Sequence, residues 1–288
     1  MNLDNITQIE RYKNLVKFID ENFKEDINIE KIEEISHYSY RNINRIFQSL
    51  QHETIGKHIK RIRLEKSAEY LKYTNQQVSD IALDVGFSDV ASFSKAFKKR
   101  FNCSPITFRQ TVEAKEHINN QIIENVTQRK ISFEIKTLPE FKLLYLEHQG
   151  NYQNIKAIEK TWDIFIKYCD KKQLISNESI FFSETLDDNE ITDDFRCRTN
   201  LAMILQKPLD FVPEGFFQVK KHSAQKYAKF LHKGATSKLE TTYNLIYSSW
   251  ITEIQLEFAD NPILEFYVNH HEKIDKENFL TEIYIPIV

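Results

Sequence analysis

The feature that most constrains this chain is a change of hydrophobic period near residue 131. Upstream, apolar residues recur every three or four positions, as one buried face of an α-helix requires. Downstream they alternate, as a strand with one buried face requires. The 288 residues therefore read as two domains. Residues 1–112 are expected to be all-α, residues 113–130 a polar linker or trailing helix, and residues 131–288 an α+β domain. With 41% hydrophobic and 28% charged residues, the chain has enough apolar material for real cores, which excludes disorder. Five Gly and six Pro leave little room for a linker-dominated architecture or Gly-rich phosphate loops. No run of about 18 apolar residues is present to span a membrane, and the first residues lack the pattern of a secretory signal. Cys103, Cys169 and Cys197 match neither a disulfide framework nor a zinc site, so a cytoplasmic setting is expected.

In the first region, Ile9, Tyr12, Leu15, Val16 and Ile19 predict one amphipathic helix ending near Phe23, and a short helix follows over Ile29–Ile35. His37-Tyr38 makes a turn, and Ser39 stands where an N-cap is wanted. The next helix, Tyr40–Leu50, sets Ile43, Ile46, Phe47 and Leu50 inward and Arg41, Asn42, Asn44, Arg45 and Gln48 outward. Arg and amide side chains are the groups that make paired hydrogen bonds to guanine and adenine edges in the major groove.

The arrangement recurs. Thr54 caps a long basic helix running to about Leu71, and a short helix follows over Val78–Val85. Gly86 is suited to a left-handed helix end, and Ser88-Asp89 can cap a helix over Val90–Phe101. That helix buries Phe93, Ala96, Phe97 and Phe101 and presents Ala91, Ser92, Lys95, Lys98 and Lys99. Ser104-Pro105 opens a last short helix through Arg109. A connecting helix of roughly 17 residues is about 25 Å long, comparable with the roughly 34 Å between successive major-groove faces once helix width is added. Charge agrees: residues 36–112 hold 13 Lys and Arg against 6 Asp and Glu, in a chain whose net charge is −3.

The string from Ser79 through Val85-Gly86-Phe87-Ser88-Asp89 to Phe101, Ser104-Pro105 and Arg109 resembles the signature of AraC/XylS-type transcription regulators over about residues 8–112. By position the resemblance implies DNA-facing roles for Arg41, Asn44 and Arg45 in the first helix-turn-helix unit, and for Ala91, Ser92 and Lys95 in the second. Double-stranded DNA is the implied partner, with RNA polymerase as a further one.

The second region repeats itself at a shift of 84 residues. Phe133/Ile135 becomes Phe217/Val219, Lys142-Leu143 becomes Lys226-Tyr227, and His148-Gln149-Gly150 becomes His232-Lys233-Gly234. An amphipathic helix with Ile155, Ile158, Trp162, Phe165 and Ile166 maps onto Leu239–Trp250. Strands at Ile180–Ser183 and Leu201–Leu205 have counterparts at Leu264–Val268 and Glu282–Ile287. Two β-α-β-β units packed into one pseudo-symmetric domain are expected. The two H-x-G sequences read as strand-to-helix turns; no acid or cysteine stands at ligand spacing, so no metal site is expected.

On the last of these strand pairs Glu265 and Tyr267 share one face, opposite Leu264, Phe266 and Val268. His270-His271 reads as an exposed loop pair. The H-x-G turns, Tyr152, Cys197-Arg-Thr-Asn200, Thr242-Tyr243, Trp250, Glu265-Phe-Tyr267 and the ending from Thr281 together resemble the GyrI-like effector-binding family over about residues 131–288. The resemblance implies that Glu265 lies at the floor of an aromatic groove between the repeats, with Trp250, Tyr243, Tyr152 and Tyr267 as walls. A carboxylate among aromatic faces suits an organic cation. The expected function is a one-component transcription regulator that senses a small-molecule effector, with no cofactor and no catalytic residues. Two other readings stay open: a C-terminal domain that binds a protein, and a hydrolase in which Glu265 and a neighbouring Tyr activate water.

Overall fold

A computed structural model describes residues 8–124, 131–250, 254, 256–270 and 274–288. The chain divides into two compact units, residues 1–117 and 118–288.

The first unit begins with α1 (Gln8–Asn22), α2 (Ile29–Ser36) and α3 (Tyr40–Gln51). Then come α4 (Ile55–Tyr73), α5 (Val78–Asp84), α6 (Val90–Phe101) and α7 (Pro105–Glu124). Leu15 and Ile19 of α1 meet Ile32, Ile43, Phe47 and Ile55 in one buried cluster, so the amphipathic stripes close on one another. Around α6 the core is aromatic: Phe97 touches Phe93, Phe101 and Phe108 at centroid distances of 5.6, 4.5 and 5.5 Å. Helix starts carry the expected caps, as Thr54 Oγ1, Asp89 Oδ1 and Ser104 Oγ accept from the backbone N–H three residues on.

Three expectations need correction here. Ser39 occupies the N-cap position of α3 without a capping side-chain bond; the Tyr40 N–H instead donates to Glu33 Oε1 at 2.6 Å. Leu50, expected inward, is 50% exposed at the end of its stripe. The helix expected to stop near Arg109 runs to Glu124, because no Gly or Pro interrupts residues 106–124. Of the stretch expected as a polar linker or trailing helix, residues 113–124 are the trailing helix, and 125–130 lie outside the described residues.

The second unit is β1 (Glu134–Leu138), β2 (Phe141–Gln149), α8 (Ile155–Lys171), β3 (Phe181–Thr185) and β4 (Arg198–Ile204). These are followed by β5 (Phe217–His222), β6 (Gln225–Lys233), α9 (Leu239–Ser249), β7 (Ile263–Tyr267) and β8 (Leu280–Pro286). Each half is β-β-α-β-β, one strand more than the expected β-α-β-β unit. The extra strand of each half lies at an edge of the sheet, and in β1 the edge leaves Ile135 57% exposed, which blurs its alternation. All eight strands form one antiparallel sheet in the order β1-β6-β8-β7-β3-β4-β2-β5. Exchanging the halves reverses this order onto itself. Phe182 and Phe266, 84 residues apart in sequence, are direct register partners at the centre and stack at 4.9 Å.

Connection lengths then dictate curvature. Pro139-Glu140 joins β1 at one edge to β2, six positions across the sheet, and Ser223-Ala224 joins β5 to β6 the same way. Six steps in a flat sheet are about 29 Å, whereas two linking residues span about 10 Å. The sheet must curl until its edges approach at that end. Its inner face holds Leu143, Tyr145, Phe182, Ala202, Tyr227, Leu264 and Tyr284 as a buried cluster. The outer face carries both helices, α8 on β2 and β4 and α9 on β6.

Candidate functional site

The first candidate surface is local. Helix α3 sets Arg41, Asn42, Arg45 and Gln48 exposed opposite Ile43 and Phe47, and α6 sets Ala91, Ser92, Lys95, Lys98 and Lys99 exposed opposite Phe93 and Phe97. Two of the expected DNA-facing residues also have intramolecular partners. The half-buried Asn44 accepts from the Ile55 N–H through Oδ1 at 3.0 Å, tying α3 to the start of α4. Ser92 gives its N–H and its hydroxyl to the Asp89 carboxylate at 2.7 and 2.8 Å, and these bonds hold the Asp89 carboxyl below its usual range. Arg41, Arg45 and Lys95 are the long exposed donors among the six.

The second candidate surface lies on the outer face of the curled sheet, between α8 and α9, where the central strands β3 and β7 form the floor. Register places Ser183 of β3 directly opposite Glu265 of β7. Tyr243, from α9, donates its hydroxyl to Glu265 Oε1 at 2.6 Å. Tyr267 donates to Ser183 Oγ at 2.9 Å, and both hydroxyls stand 3.4 Å from Glu265 Oε2. Trp162, from α8, packs edge-on to Tyr267 at 5.5 Å and to Phe181 at 6.3 Å. The carboxylate is thus met by two phenols and one serine, with the Trp162 indole packed behind Tyr267.

Burial raises the Glu265 carboxyl above its ordinary range, and the hydrogen bonds from Tyr243, Tyr267 and Ser183 pull it back only in part. Tyr243 and Tyr267 are pushed up by burial and by the adjacent carboxylate, so both stay protonated donors. Glu265 nevertheless keeps some accessible surface.

The H-x-G sequences explain how the walls are held. His148 Nδ1 pairs with Thr161 Oγ1 at 2.8 Å, and His232 Nδ1 with Thr242 Oγ1 at 2.7 Å. In each half the next residue on the helix is the wall aromatic, Trp162 or Tyr243. Gly150 and Gly234 turn the chain away behind each histidine with φ of 154° and 134°.

Two expected wall residues sit elsewhere. Trp250 is 4% exposed, donates from Nε1 to the Leu256 carbonyl at 2.7 Å and stacks on Phe258. The reason is helix phase: Ile246 and Trp250 form the stripe facing the core, while Tyr243 and Tyr247 form the stripe beside it. Tyr152 uses its hydroxyl on the Arg198 and Asp187 carbonyls, at 2.7 and 3.1 Å, rather than on Glu265. His270 is no exposed loop residue: it is half-buried, stacks on Phe279 at 4.2 Å and pairs with Thr281 at 3.0 Å. Burial lowers its pKa to about 4, and His271 lies outside the described residues. Sequence reasoning missed Trp162 and Ser183 as site residues. A usable signal was present, since Thr161-Trp162 follows the first H-x-G as Thr242-Tyr243 follows the second.

With this geometry in place, the sequence of the second unit decides the family. A profile of the GyrI-like small molecule binding domain matches residues 132–288, more than half of the chain. The chain belongs to the GyrI-like family. Its first unit matches a helix-turn-helix domain over residues 33–111 and is of the AraC type. The Salmonella typhimurium regulatory protein SoxS is 33% identical over 95 residues, covering 33% of this chain and 89% of SoxS. The Escherichia coli HTH-type transcriptional regulator YkgA is 39% identical over 95 residues, which cover 33% of this chain and 40% of YkgA. The bifunctional transcriptional activator/DNA repair enzyme AdaA of Bacillus subtilis is 31% identical over 105 residues, 36% of this chain and 50% of AdaA. This GyrI-like chain thus spans less than two thirds of the length of YkgA and of AdaA. Among solved structures, EcmrR in complex with DNA aligns at a TM-score of 0.48 and 13% identity, covering 90% of this chain and 98% of that one. An AraC-type, DNA-binding helix-turn-helix unit is thus joined to a GyrI-like domain in this chain, and among the described residues no helix is long and apolar enough to cross a membrane.

Proposed function

We propose that this regulator senses a small, aromatic organic cation in the groove floored by Glu265, and that Arg41, Arg45 and Lys95 are the side chains it turns towards DNA. One observation carries the effector reading: a carboxylate, raised in pKa by burial, is met by three neutral hydroxyl groups beside the aromatic side chains of Tyr243, Tyr267 and Trp162. Burying a carboxylate without a cation is unfavourable, and the three hydroxyl hydrogen bonds offset only part of that cost. A bulky cation in the groove supplies the missing counter-charge. Its rings gain apolar contact and cation–π attraction from Trp162, Tyr243 and Tyr267.

A pair of ions of matched shape tests this reading. Titration of the full chain with tetraphenylphosphonium and with tetraphenylborate, followed by calorimetry, is expected to give binding for the cation and none for the anion. Equal binding of both ions points to mere hydrophobic partitioning and overturns the proposal. No separate observation favours the hydrolase reading, since the Tyr243, Tyr267 and Ser183 hydroxyls are all engaged with Glu265 or with one another, and the groove as a protein-docking face has no counterpart surface to name.

A further inference from the structure

The first unit contains a second arrangement that neither candidate surface uses. Arg63 projects from the middle of α4 and gives all of its guanidinium edges to backbone. Its Nε donates to the Phe23 carbonyl, Nη2 to the Glu25 carbonyl and Nη1 to the Gly86 carbonyl, each at 2.7 Å. Phe23 and Glu25 follow α1, which packs against α2 and α3 and so belongs with the first reading unit. Gly86 is in the turn between α5 and α6, the second reading unit. One side chain therefore joins both units to the connecting helix.

Gly86 tightens the same junction. Its φ is +87°, and a Cβ there would stand 2.4 Å from the Lys24 carbonyl oxygen and 3.0 Å from Arg63 Cζ. Backbone that follows α1 of the first reading unit and backbone from the α5–α6 turn of the second reading unit are thus in direct contact, with no space for a side chain between them. A planar guanidinium with five donors can serve three carbonyls at once in fixed directions; a lysine ammonium on a flexible stem cannot hold that geometry.

We infer that Arg63 and Gly86 form a clamp that fixes the two reading helices at a set angle and distance before DNA is met, and so make the spacing between two operator half-sites a property the protein selects. Arg63 is a positioning residue here. It is half-buried and spends its donors on carbonyls, so its influence on DNA passes through the orientation of α3 and α6. The two reading units then bind as one body, and a duplex with its half-sites out of step must twist or forgo one contact set.

The test starts from an operator selected by the full chain out of random duplex DNA, with versions carrying one or two base pairs inserted between the half-sites. Wild type is expected to lose about tenfold in affinity or more with the inserted pairs. In Arg63→Lys, which keeps the charge, affinity for the uninterrupted operator is expected to fall about tenfold and the insertion penalty to shrink towards none. Affinity for a duplex with one half-site stays within about twofold, a split that general unfolding does not produce. A folded Arg63→Lys chain that keeps the full insertion penalty overturns the inference. A second measurement leaves the clamp intact. Spin labels at Glu30→Cys on α2 and Ser79→Cys on α5, in a Cys103→Ser chain, are expected to give one narrow distance distribution without DNA, unchanged on adding operator. A broad distribution that narrows only with DNA overturns the clamp whatever Arg63→Lys does.

Discussion

The two halves of the sheet domain share a scaffold and differ where it matters chemically. In both, a strand-end histidine binds a helix threonine, and the following aromatic becomes a groove wall. At the repeat distance of 84 residues, however, Glu265 of the second half stands where the first half has Phe181. The pseudo-two-fold axis through Phe182 and Phe266 therefore relates a carboxylate to a phenyl ring. Duplication supplied the shape of a groove, and loss of symmetry at one position supplied an anionic half facing an apolar half. A ligand with charge at one end and rings at the other fits such a site better than a symmetric one.

Changes that restore or deepen the asymmetry probe this difference. The largest effect is expected from Phe181→Glu, which restores symmetry by placing a second carboxylate on the floor, two residues along β3 from the Ser183 that faces Glu265. Two like charges in a half-buried floor, one without a partner, should lower stability by about 3 kcal/mol, read as a fall in melting temperature. A variant as stable as wild type contradicts the view that the apolar half must stay apolar. Trp162→Ala removes the wall of the first half and its contacts with Tyr267 and Phe181. A loss of about 2 kcal/mol in folding stability is expected, since the indole is only partly buried, with weaker tetraphenylphosphonium binding alongside.

A smaller effect sharpens the electrostatic side. Burial raises the Glu265 carboxyl, so between its ordinary value of 4.5 and its raised value the folded chain binds a proton that the unfolded chain releases. Stability should therefore fall as pH rises through that window, and cation affinity should fall as pH drops through it. Tyr243 holds the carboxyl down by donating to it, so Tyr243→Phe is expected to move the midpoint of the affinity loss to higher pH. The phenol itself contributes about 1 kcal/mol. An unmoved midpoint in affinity measured across pH would show that the 2.6 Å bond does not tune the carboxylate.

The fold was legible wherever a signal is local. Helix stripes, the caps at Thr54, Asp89 and Ser104, and the left-handed turn at Gly86 all follow from side chains within a few residues. The exposed faces of α3 and α6 follow from the same periodicity. On the groove floor, strand alternation alone put Glu265 and Tyr267 on one face. The walls were less legible, because α9 carries aromatics on two adjoining stripes and only packing decides which one meets the sheet. Trp250 went to the core for that reason, and Trp162, from the other half, took the place beside Tyr267. Edge strand β1 was blurred by exposure, and the curl of the sheet depends on two short connections whose meaning appears only with the strand order.

The central claim is that the Glu265 charge, set in the second half alone, selects the ligand. Calorimetry of tetraphenylphosphonium binding to wild type and to Glu265→Gln tests it most directly, because glutamine keeps size and hydrogen-bonding capacity while removing the charge. The cation is expected to bind Glu265→Gln about tenfold or more weakly, while the ligand-free variant is at least as stable as wild type because no carboxylate is buried. Equal affinity in the two proteins, for a cation located between α8 and α9, would contradict the claim.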